Sequence, residues 1–422
     1  MIPQLRQRFN AAFTADRYAA LQQELNTAVY WPVDFRVAES PLFLDEDASR
    51  ALAAAADDIV RQLDTPGFRK HAETAIPRGL VATSPEPVEG PLSVPKETEF
   101  PHFLAVDFAL CRDADGKIVP QLIELQGFPT VACWQALLAR TYRKHFPEIP
   151  ADFTPYFGGR DEERYLADYR SAILGGRLPE NTVLLEITPD QQKTRVDFAC
   201  THAFLGIKPL CVTKVIKRGR QLFYGSGGRE VRIERIFNRV IFDELLRKNP
   251  PMKFSFFEDL DVEWAGHPNW YFRISKHTLP FLQGPFAPDC HFASDLRRTA
   301  RGELVSPTSG EPVEPENYVL KPLYSFAGLG VDIAPTRGKI AAIEKPGEWL
   351  LQRKVAYAPV LETPDGPAKA EVRLIFAGDG TAMPALLNQL VRLTKGAMHG
   401  VDFNRGRTWV GASAGFHPPL PG

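Results

Sequence analysis

Two acidic residues, Asp107 and Glu124, lie inside the otherwise apolar stretches FLAVDFALC and VPQLIELQ. A charge in such surroundings is costly unless another group pairs with it. Asp115-Gly116 between the stretches is a preferred two-residue hairpin turn, and this turn would place Asp107 directly opposite Glu124. Their Cβ atoms would then be about 5 Å apart. Gln126 shares the face of Glu124, because side chains along a strand alternate between two faces.

The chemistry that suits this face is metal binding. Opposed carboxylates are unfavourable in a sheet unless a cation lies between them, and hard oxygen ligands suit magnesium. We therefore predict a metal site formed by Asp107, Glu124 and Gln126. Two alternatives stay open: a solvated acidic face bonded to basic neighbours, and a slip of one residue at Pro120 that would turn Asp107 to the other face.

A lysine followed by two glycines forms a second candidate site. The stretch NYVLKPLYSFAGLG places Lys321 at the end of an apolar run, with Gly328 and Gly330 in the loop that follows. A glycine loop lets backbone N–H groups approach a phosphate, and a nearby lysine adds positive charge. A plain hairpin corner would account for the same residues.

Two further stretches could complete a nucleotide site. Lys276 opens the predicted helix SKHTLPFL, and EWLLQRKVAYAPV is predicted to be a strand that carries Gln352 and ends near Val355. The end of such a strand can offer backbone groups to an adenine edge. The ordinary alternatives are a solvated helix residue for Lys276 and an amphipathic strand end for the other two.

The order of these stretches resembles the circularly permuted ATP-grasp family, especially its glutathionylspermidine-synthase-like branch. In that family an aspartate and a glutamate-x-asparagine followed by Pro-Thr or Pro-Ser precede a helix that opens with lysine. A strand lysine with a glycine loop and a hinge strand come later. The resemblance covers roughly residues 95–422, and VDFALC, IELQGFPT, SKHTLPFL and NYVLKPL carry it together with EVRLIF and LVRLTKG.

This resemblance implies a function and a set of roles. The function is an ATP-dependent carboxylate–amine ligase that uses magnesium and an acyl-phosphate intermediate, with a small-molecule or peptide carboxylate and an amine nucleophile as substrates. Arg373 and Arg392 are candidates for steadying the carboxylate or acyl phosphate; structural ion pairs are the alternative for both. The implied ATP-binding residues are Lys276, Lys321, Ser325, Gly328, Gly330, Gln352 and Val355.

Two departures from the family pattern bear on activity. Gln126 stands where the family has asparagine, although its amide oxygen can still act as a ligand. Ala105 stands where the synthetases carry an arginine, two residues before the aspartate. An ATP-binding sensor or scaffold protein of ATP-grasp fold, without turnover, therefore stays open as the alternative function.

The helices and strands expected from the sequence, together with the resemblance, predict an α+β, ATP-grasp-like fold with antiparallel sheets and helices. Residues 1–150 form a helical N-terminal region, with Asp47 as a candidate cap, plus the metal-binding hairpin at 103–130. Residues 151–265 form a small α/β unit with a βαβ (pre-ATP-grasp-like) arrangement. Residues 266–422 form the ATP-binding unit, and residues 82–101 read as an irregular connection.

Composition excludes several classes of protein. The formal net charge of −1 argues against nucleic acid or an anionic membrane as a partner. The five cysteines form no C-x-x-C pair, and no signal peptide or membrane-spanning run is present, so a cytoplasmic location is expected. The stretch GASAG around Ser413 matches a nucleophile elbow literally, but no acid follows it, and GSGGRE completes no nucleotide motif.

Overall fold

The fold is described from a computed structural model, which places residues 1–76, 94–299, 303–307, 310–325, 328–396, 404 and 406–420. Most of the predicted irregular connection at 82–101 lies outside these described residues. The described chain is a mixed α+β structure with several sheets, as the sequence predicted at this coarse level.

The helices gather mainly in the first half of the chain. The α-helices are α1 (Pro3–Ala12), α2 (Ala15–Thr27), α3 (Glu46–Leu63), α4 (Pro66–Glu73), α5 (Ala132–His145), α6 (Glu162–Leu174), α7 (Arg195–Leu205), α8 (Phe242–Lys248), α9 (Trp270–Arg273) and α10 (Arg337–Ala341). Helix α3 begins after Asp45, whose side chain accepts a hydrogen bond from the backbone N–H of Ala48. The prediction that Asp47 caps this helix was wrong, because Asp47 already lies in the first turn.

Eighteen strands are found in the described residues. They are β1 (Leu42–Phe43), β2 (Phe103–Arg112), β3 (Ile118–Gln126), β4 (Thr182–Glu186), β5 (Lys208–Cys211), β6 (Ile216–Arg218), β7 (Gln221–Ser226), β8 (Arg229–Ile233), β9 (Arg235–Asn238), β10 (Glu263–Ala265), β11 (Cys290–Phe292), β12 (Arg297–Arg298), β13 (Leu304–Val305), β14 (Tyr318–Pro322), β15 (Trp349–Arg353), β16 (Lys369–Ala377), β17 (Ala385–Thr394) and β18 (Gly411–Phe416).

The largest sheet has six strands in the order β1-β18-β17-β16-β2-β3. One of its faces packs on α3, in a core that includes Leu104, Val106 and Phe108. Helix α5 contacts the sheet at β17 and β18, in a second core that includes Ile375 and Leu390. This sheet joins the β2–β3 hairpin, from the predicted segment 1–150, to β16, β17 and β18, from the predicted segment 266–422. The boundaries of these segments stay predictions.

A parallel sheet of four strands, in the order β10-β9-β4-β5, lies in the middle of the chain. Strand β4, helix α7 and strand β5 form the βαβ arrangement that the sequence predicted. Gly206 ends α7 in the left-handed conformation, with φ of 75°, which glycine adopts without strain. Strands β7 and β8 form a hairpin, with its turn at Gly227 and Gly228.

A three-stranded antiparallel sheet, β11-β15-β14, lies against the outer edge of β3. Residues 276–281 form a short 3-10 helix beside it, opened by a capping box between Ser275 and Thr278. This helix contacts β3 as well. Within the described ranges, no helix combines the length and the apolar character that crossing a bilayer requires.

Gly127, directly after β3, is packed too closely for a side chain. Its N–H donates to the carbonyl oxygen of Ile274, and a Cβ at Gly127 would lie 2.6 Å from the carbonyl oxygen of Trp270. We expect Gly127→Ala to lower the free energy of unfolding by about 1–3 kcal/mol through overpacking. Chemical denaturation would measure this, with Gly225→Ala as the control, because no atom lies within 4 Å of a Cβ built there. Equal stability of the two variants would contradict this packing.

Candidate functional site

The acidic hairpin has the pairing that the sequence predicted. Asp107 lies directly opposite Glu124 in the β2–β3 ladder. The predicted two-residue turn was wrong, because Arg112 pairs with Ile118 and five residues connect them. The register shifts by one residue between Asp107 and Phe108, where Ile123 is bulged out of the ladder. The longer turn and the bulge offset each other, so the two carboxylates still share a face.

Asp107 is buried and ion-paired. Its side chain is 2% exposed, and Arg373 on β16 lies opposite it in the neighbouring ladder. The guanidinium of Arg373 binds both carboxylate oxygens, with Nε–Oδ1 at 2.6 Å and Nη2–Oδ2 at 2.7 Å. Its Nη1 donates to the hydroxyl of Thr130 at 3.2 Å. This two-point geometry makes a strong charge-assisted pair.

A second arginine reaches the same carboxylate. Nη2 of Arg392 on β17 contacts Oδ2 of Asp107 and also Oε1 of Glu371 on β16. The hydroxyl of Tyr357 donates to Glu371 at 2.7 Å. The structure thus brings both predicted arginines onto the predicted acidic face, where they form one network with Asp107.

Glu124 meets the first predicted lysine. Nζ of Lys276 lies 3.5 Å from Oε1 of Glu124 and also contacts the carbonyl oxygen of Ser325. The side chain of Lys276 is buried, whereas that of Glu124 is 31% exposed. Residues far apart in sequence therefore meet at the open edge of the hairpin.

The second predicted lysine closes the edge of β3. Nζ of Lys321 donates to the carbonyl oxygen of the bulged Ile123 at 3.0 Å and to Oε1 of Gln352 at 2.5 Å. The amide of Gln352 donates in turn to the carbonyl oxygen of Leu122 at 3.0 Å. Lys321 and Gln352 therefore join the small sheet to β3, and both are buried.

The other predicted residues lie around this junction. Gly328 and Gly330 have φ of 75° and 76°, and the chain after them returns to β14 through paired backbone bonds between Leu320 and Asp332. Leu320 and Asp332 form an isolated antiparallel bridge there. Residues 326–327 of the loop lie outside the described residues. Gln126 and Val355 are half-buried, at the end of β3 and two residues after β15.

The charges at this site shift one another. Burial would raise the pKa of Glu124, but Lys276, Lys321 and both arginines outweigh it and hold that pKa below its ordinary value. Burial lowers the pKa of Lys321, and Glu124 opposes the shift. Burial would likewise lower the pKa of Arg392, yet Glu371 and the other carboxylates raise it above its ordinary value. Glu124 is therefore an ionised carboxylate surrounded by cations.

The donors on the hairpin suit magnesium in part. Magnesium is commonly held by one or two carboxylates, with phosphate oxygens and water as its remaining ligands. Glu124 and Gln126 can supply such oxygens at the open end of β3. Both oxygens of Asp107 accept from guanidinium groups, and its role as a metal ligand stays a prediction. Among the described residues, no three His, Cys, Asp or Glu side chains gather as a metal site.

Three contributors were not identified from the sequence. Glu371 binds Arg392, Tyr357 donates to Glu371, and Thr130 accepts from Arg373. Glu371 and Arg373 stand two residues apart in KAEVRLIFA, so strand alternation could have placed both on one face. Tyr357 and Thr130 lie in irregular segments. Thr130 is the threonine of the Pro-Thr step in IELQGFPT, whereas no sequence signal marked Tyr357. Ser413, in the set-aside GASAG stretch, is buried in β18, where its hydroxyl donates to the carbonyl oxygen of Ser40.

Glu186, in the α/β unit, is a further acid whose pKa is shifted. Glu186 ends β4, at the point where the chain leads to β5 on one side while β9 and β10 lie on the other. Ligands of parallel sheets commonly bind at such a point. Burial raises the pKa of Glu186 to about 8. One of its oxygens accepts from the N–H of Ile187 at 2.6 Å.

The described residues form a mixed α+β protein with several sheets. The chain has the same fold as a glutathione synthetase-like effector from Globodera pallida, solved in its apo form, with a TM-score of 0.54, 10% identity and 99% of each chain covered. A crystal structure of a candidate γ-glutamylcysteine synthetase from Methylobacillus flagellatus KT gives a TM-score of 0.37 at 13% identity, covering 85% of this chain and 84% of the other. That second likeness is too weak to bear on the fold. No protein-family model and no curated protein matches the chain.

The raised pKa of Glu186 predicts a pH dependence of stability. A carboxyl that binds its proton more tightly when folded contributes stability below its ordinary pKa of 4.5, and loses that contribution as pH rises to about 8. We expect Glu186→Gln to approach wild-type stability at pH 5 and to exceed it at pH 8.5, by up to a few kcal/mol, since one pKa unit is worth about 1.4 kcal/mol. Urea unfolding at both pH values measures this, with the exposed Glu180→Gln as the control. A pH-independent difference for Glu186→Gln would contradict the assignment.

Proposed function

We propose that this protein is an ATP-dependent ligase that joins a carboxylate to an amine through an acyl phosphate. The observation that carries the proposal is the contact of Lys276 and Lys321 with the strand that holds Glu124. Cations suited to a triphosphate and an acid suited to its metal meet at one edge, although they lie about 150 to 200 positions apart in the sequence.

The reaction has two steps. A carboxylate oxygen of the acid attacks the terminal phosphorus of ATP, the bond to the bridging oxygen breaks, and ADP leaves. The amine nitrogen then attacks the carbonyl carbon of the acyl phosphate. The C–N bond forms, the C–O bond to phosphate breaks, phosphate carries away the electron pair, and the amine gives up a proton. In such transfers the protein mainly positions groups and neutralises charge.

The lysines bind the phosphates in this proposal. Lys276 and Lys321 now contact Ser325, Glu124, Ile123 and Gln352, and phosphate oxygens would take the place of some of these partners. Gln352 and the backbone near Val355 would hold the adenine. The loop from Ser325 to Gly330, with its glycines Gly328 and Gly330, would close over the triphosphate.

Magnesium fits the exposed end of the acidic hairpin. Glu124 and Gln126 would hold it, whereas Asp107, which the sequence predicted as a third ligand, is already bound by two arginines. Bound there, magnesium would neutralise the phosphate oxygens of ATP. Glu124 supports this role because it is ionised, partly exposed and next to the lysine expected to bind the same phosphates.

The arginines serve the acid substrate. The side chain of Arg392 is 35% exposed, and its buried Nε has no hydrogen-bond partner among the described residues. A buried donor without a partner is costly, and a carboxylate or acyl phosphate would satisfy it. Arg373 lies beside it as the second guanidinium, and the planar fork of arginine suits such oxyanions.

The finer assignments belong to the same proposal. They are membership of the circularly permuted, glutathionylspermidine-synthase-like branch, a small-molecule or peptide carboxylate and an amine as substrates, and a cytoplasmic location. The similar effector fold supports the ATP-grasp class to which these assignments belong.

A nucleotide-binding sensor or scaffold without turnover is the second candidate. Two observations favour it: Ala105 stands where the related synthetases have arginine, and both oxygens of Asp107 are bound by guanidinium groups. The effector name of the similar structure fits a role of this kind too.

Release of ADP distinguishes the two functions. The full chain with ATP and magnesium should release ADP when panels of acids and amines are supplied together, and acyl hydroxamate should form when hydroxylamine replaces the amine. ATP binding measured by calorimetry, with no ADP from any pair, would favour the sensor. Absence of nucleotide binding would reject both functions.

Replacing Lys321 tests the phosphate role. We expect Lys321→Ala to weaken ATP binding at least about ten-fold, a loss of about 1.4 kcal/mol of binding free energy. Calorimetric titration with a non-hydrolysable ATP analogue measures it, after thermal unfolding shows that the variant is folded. Lys345→Ala is the control, because that side chain is 74% exposed. Near-normal affinity in a folded Lys321→Ala protein would contradict the assignment.

Replacing Glu124 tests the metal role. We expect Glu124→Gln to raise the magnesium concentration for half-maximal ADP release at least about ten-fold, because a neutral amide binds magnesium more weakly than a carboxylate. The fold should persist, since Glu124 is partly exposed. Glu348→Gln, whose side chain is 57% exposed, is the matched control. An unchanged magnesium requirement in Glu124→Gln would remove this residue from the metal site.

A further inference from the structure

We propose that Asp107 is a positioning residue that fixes Arg373 and Arg392, and that it does not bind the metal. This inference rests on the proposed function, because it assigns a role within the same site. It replaces the ligand role that the sequence predicted for Asp107 and leaves Glu124 as the metal-binding carboxylate.

The geometry of Asp107 is that of an anchor. Its carboxylate is 2% exposed, and Arg373 binds it at both oxygens with distances of 2.6 and 2.7 Å. Arg392 adds a third contact, at Oδ2. Three guanidinium N–H groups thus point at one carboxylate, which has few lone-pair positions left for a cation.

Electrostatics opposes a metal at this carboxylate. An ion bound to Asp107 would compete with three guanidinium contacts and would lie beside two arginines. Like charges at such separations repel strongly where water is excluded. The displaced guanidinium would also lose the acid that compensates its burial. Glu124 is the more accessible carboxylate, because its side chain is 31% exposed and its ion-pair partner Lys276 lies at 3.5 Å, without a two-point contact.

The network explains what an anchor achieves here. Arg373 is held on its other side by Thr130, and Arg392 by Glu371, which accepts from Tyr357. The guanidiniums are therefore fixed before any substrate arrives. Donors fixed in advance stabilise developing negative charge better than mobile ones, because no reorganisation is needed at the moment of reaction. Asp107 would act on the acid substrate through these arginines.

The metal assignment can be tested without turnover. The probe is Mn2+ titrated into the full chain saturated with the non-hydrolysable analogue AMP-PNP, and read by electron paramagnetic resonance. We expect Asp107→Asn to keep the Mn2+ affinity within about two-fold of wild type, while Glu124→Gln weakens it at least about ten-fold. A loss in Asp107→Asn as large as that in Glu124→Gln would overturn the proposal.

The positioning role has its own measurement, which requires no nucleotide. Phenylglyoxal modifies accessible guanidinium groups, and mass spectrometry of the peptides gives the rate at each arginine. We expect Asp107→Asn to raise the rates at Arg373 and Arg392 several-fold, with no change at the exposed Arg164 and none in Glu124→Gln. Unchanged rates at both network arginines would overturn the anchor role.

Kinetics then separate positioning from a purely structural effect. With an acid that supports ADP release, Asp107→Asn should raise KM for the acid at least about ten-fold and leave KM for ATP near wild type. In an Arg373→Met background the same substitution should have a smaller effect, because one of the two arginines through which Asp107 acts is gone. Equal effects in both backgrounds would overturn the proposal. Failure of the wild type to bind nucleotide rejects the proposed function instead, and the phenylglyoxal rates still decide the anchor role.

Discussion

The outer edge of β3 is the constraint on which the site depends. An edge strand presents unpaired backbone groups, and a protein must cover or bind them. Here the carbonyl oxygens of Leu122 and Ile123 accept from the side chains of Gln352 and Lys321, while the N–H groups of Leu122 and Gly127 donate to residues 286 and 274. Closing this edge brings the residues expected to bind the nucleotide against the acidic hairpin.

The second constraint is the balance of charges on the face of the six-stranded sheet that carries Asp107. Asp107 and Glu371 balance Arg373 and Arg392, and all four lie on three neighbouring strands, β2, β16 and β17. Glu124, on β3, faces the lysines instead. The two opposed acids thus have different partners: Asp107 binds the arginines, and Glu124 lies at the edge of β3 beside Lys276. Environment, not residue type, separates their roles.

The hairpin shows how far sequence reasoning reaches. Period-two alternation and a turn signal correctly predicted that Asp107 lies opposite Glu124. The predicted turn was too short, however, because five residues connect Arg112 to Ile118. Two local errors offset each other, because the bulge at Ile123 restored the register that the longer turn had shifted. Leu104, Val106 and Phe108 alternate along β2 and share one core, and a slip of one residue would turn such an alternating set to the other face of the sheet. A bulge itself leaves no mark in composition.

The sequence by itself determined the α+β class, the hairpin, the βαβ arrangement and which polar residues stood out from apolar strands, because these follow from local periodicity and turn chemistry. Only the tertiary structure decided which acid meets which cation. Arg373 lies 266 positions from Asp107, and Lys321 lies 198 from Ile123, so their contacts depend on strand order and on packing of separate sheets. The spacing of residues in the sequence does not predict which of them meet in space, since a long intervening chain can return to any edge of a sheet.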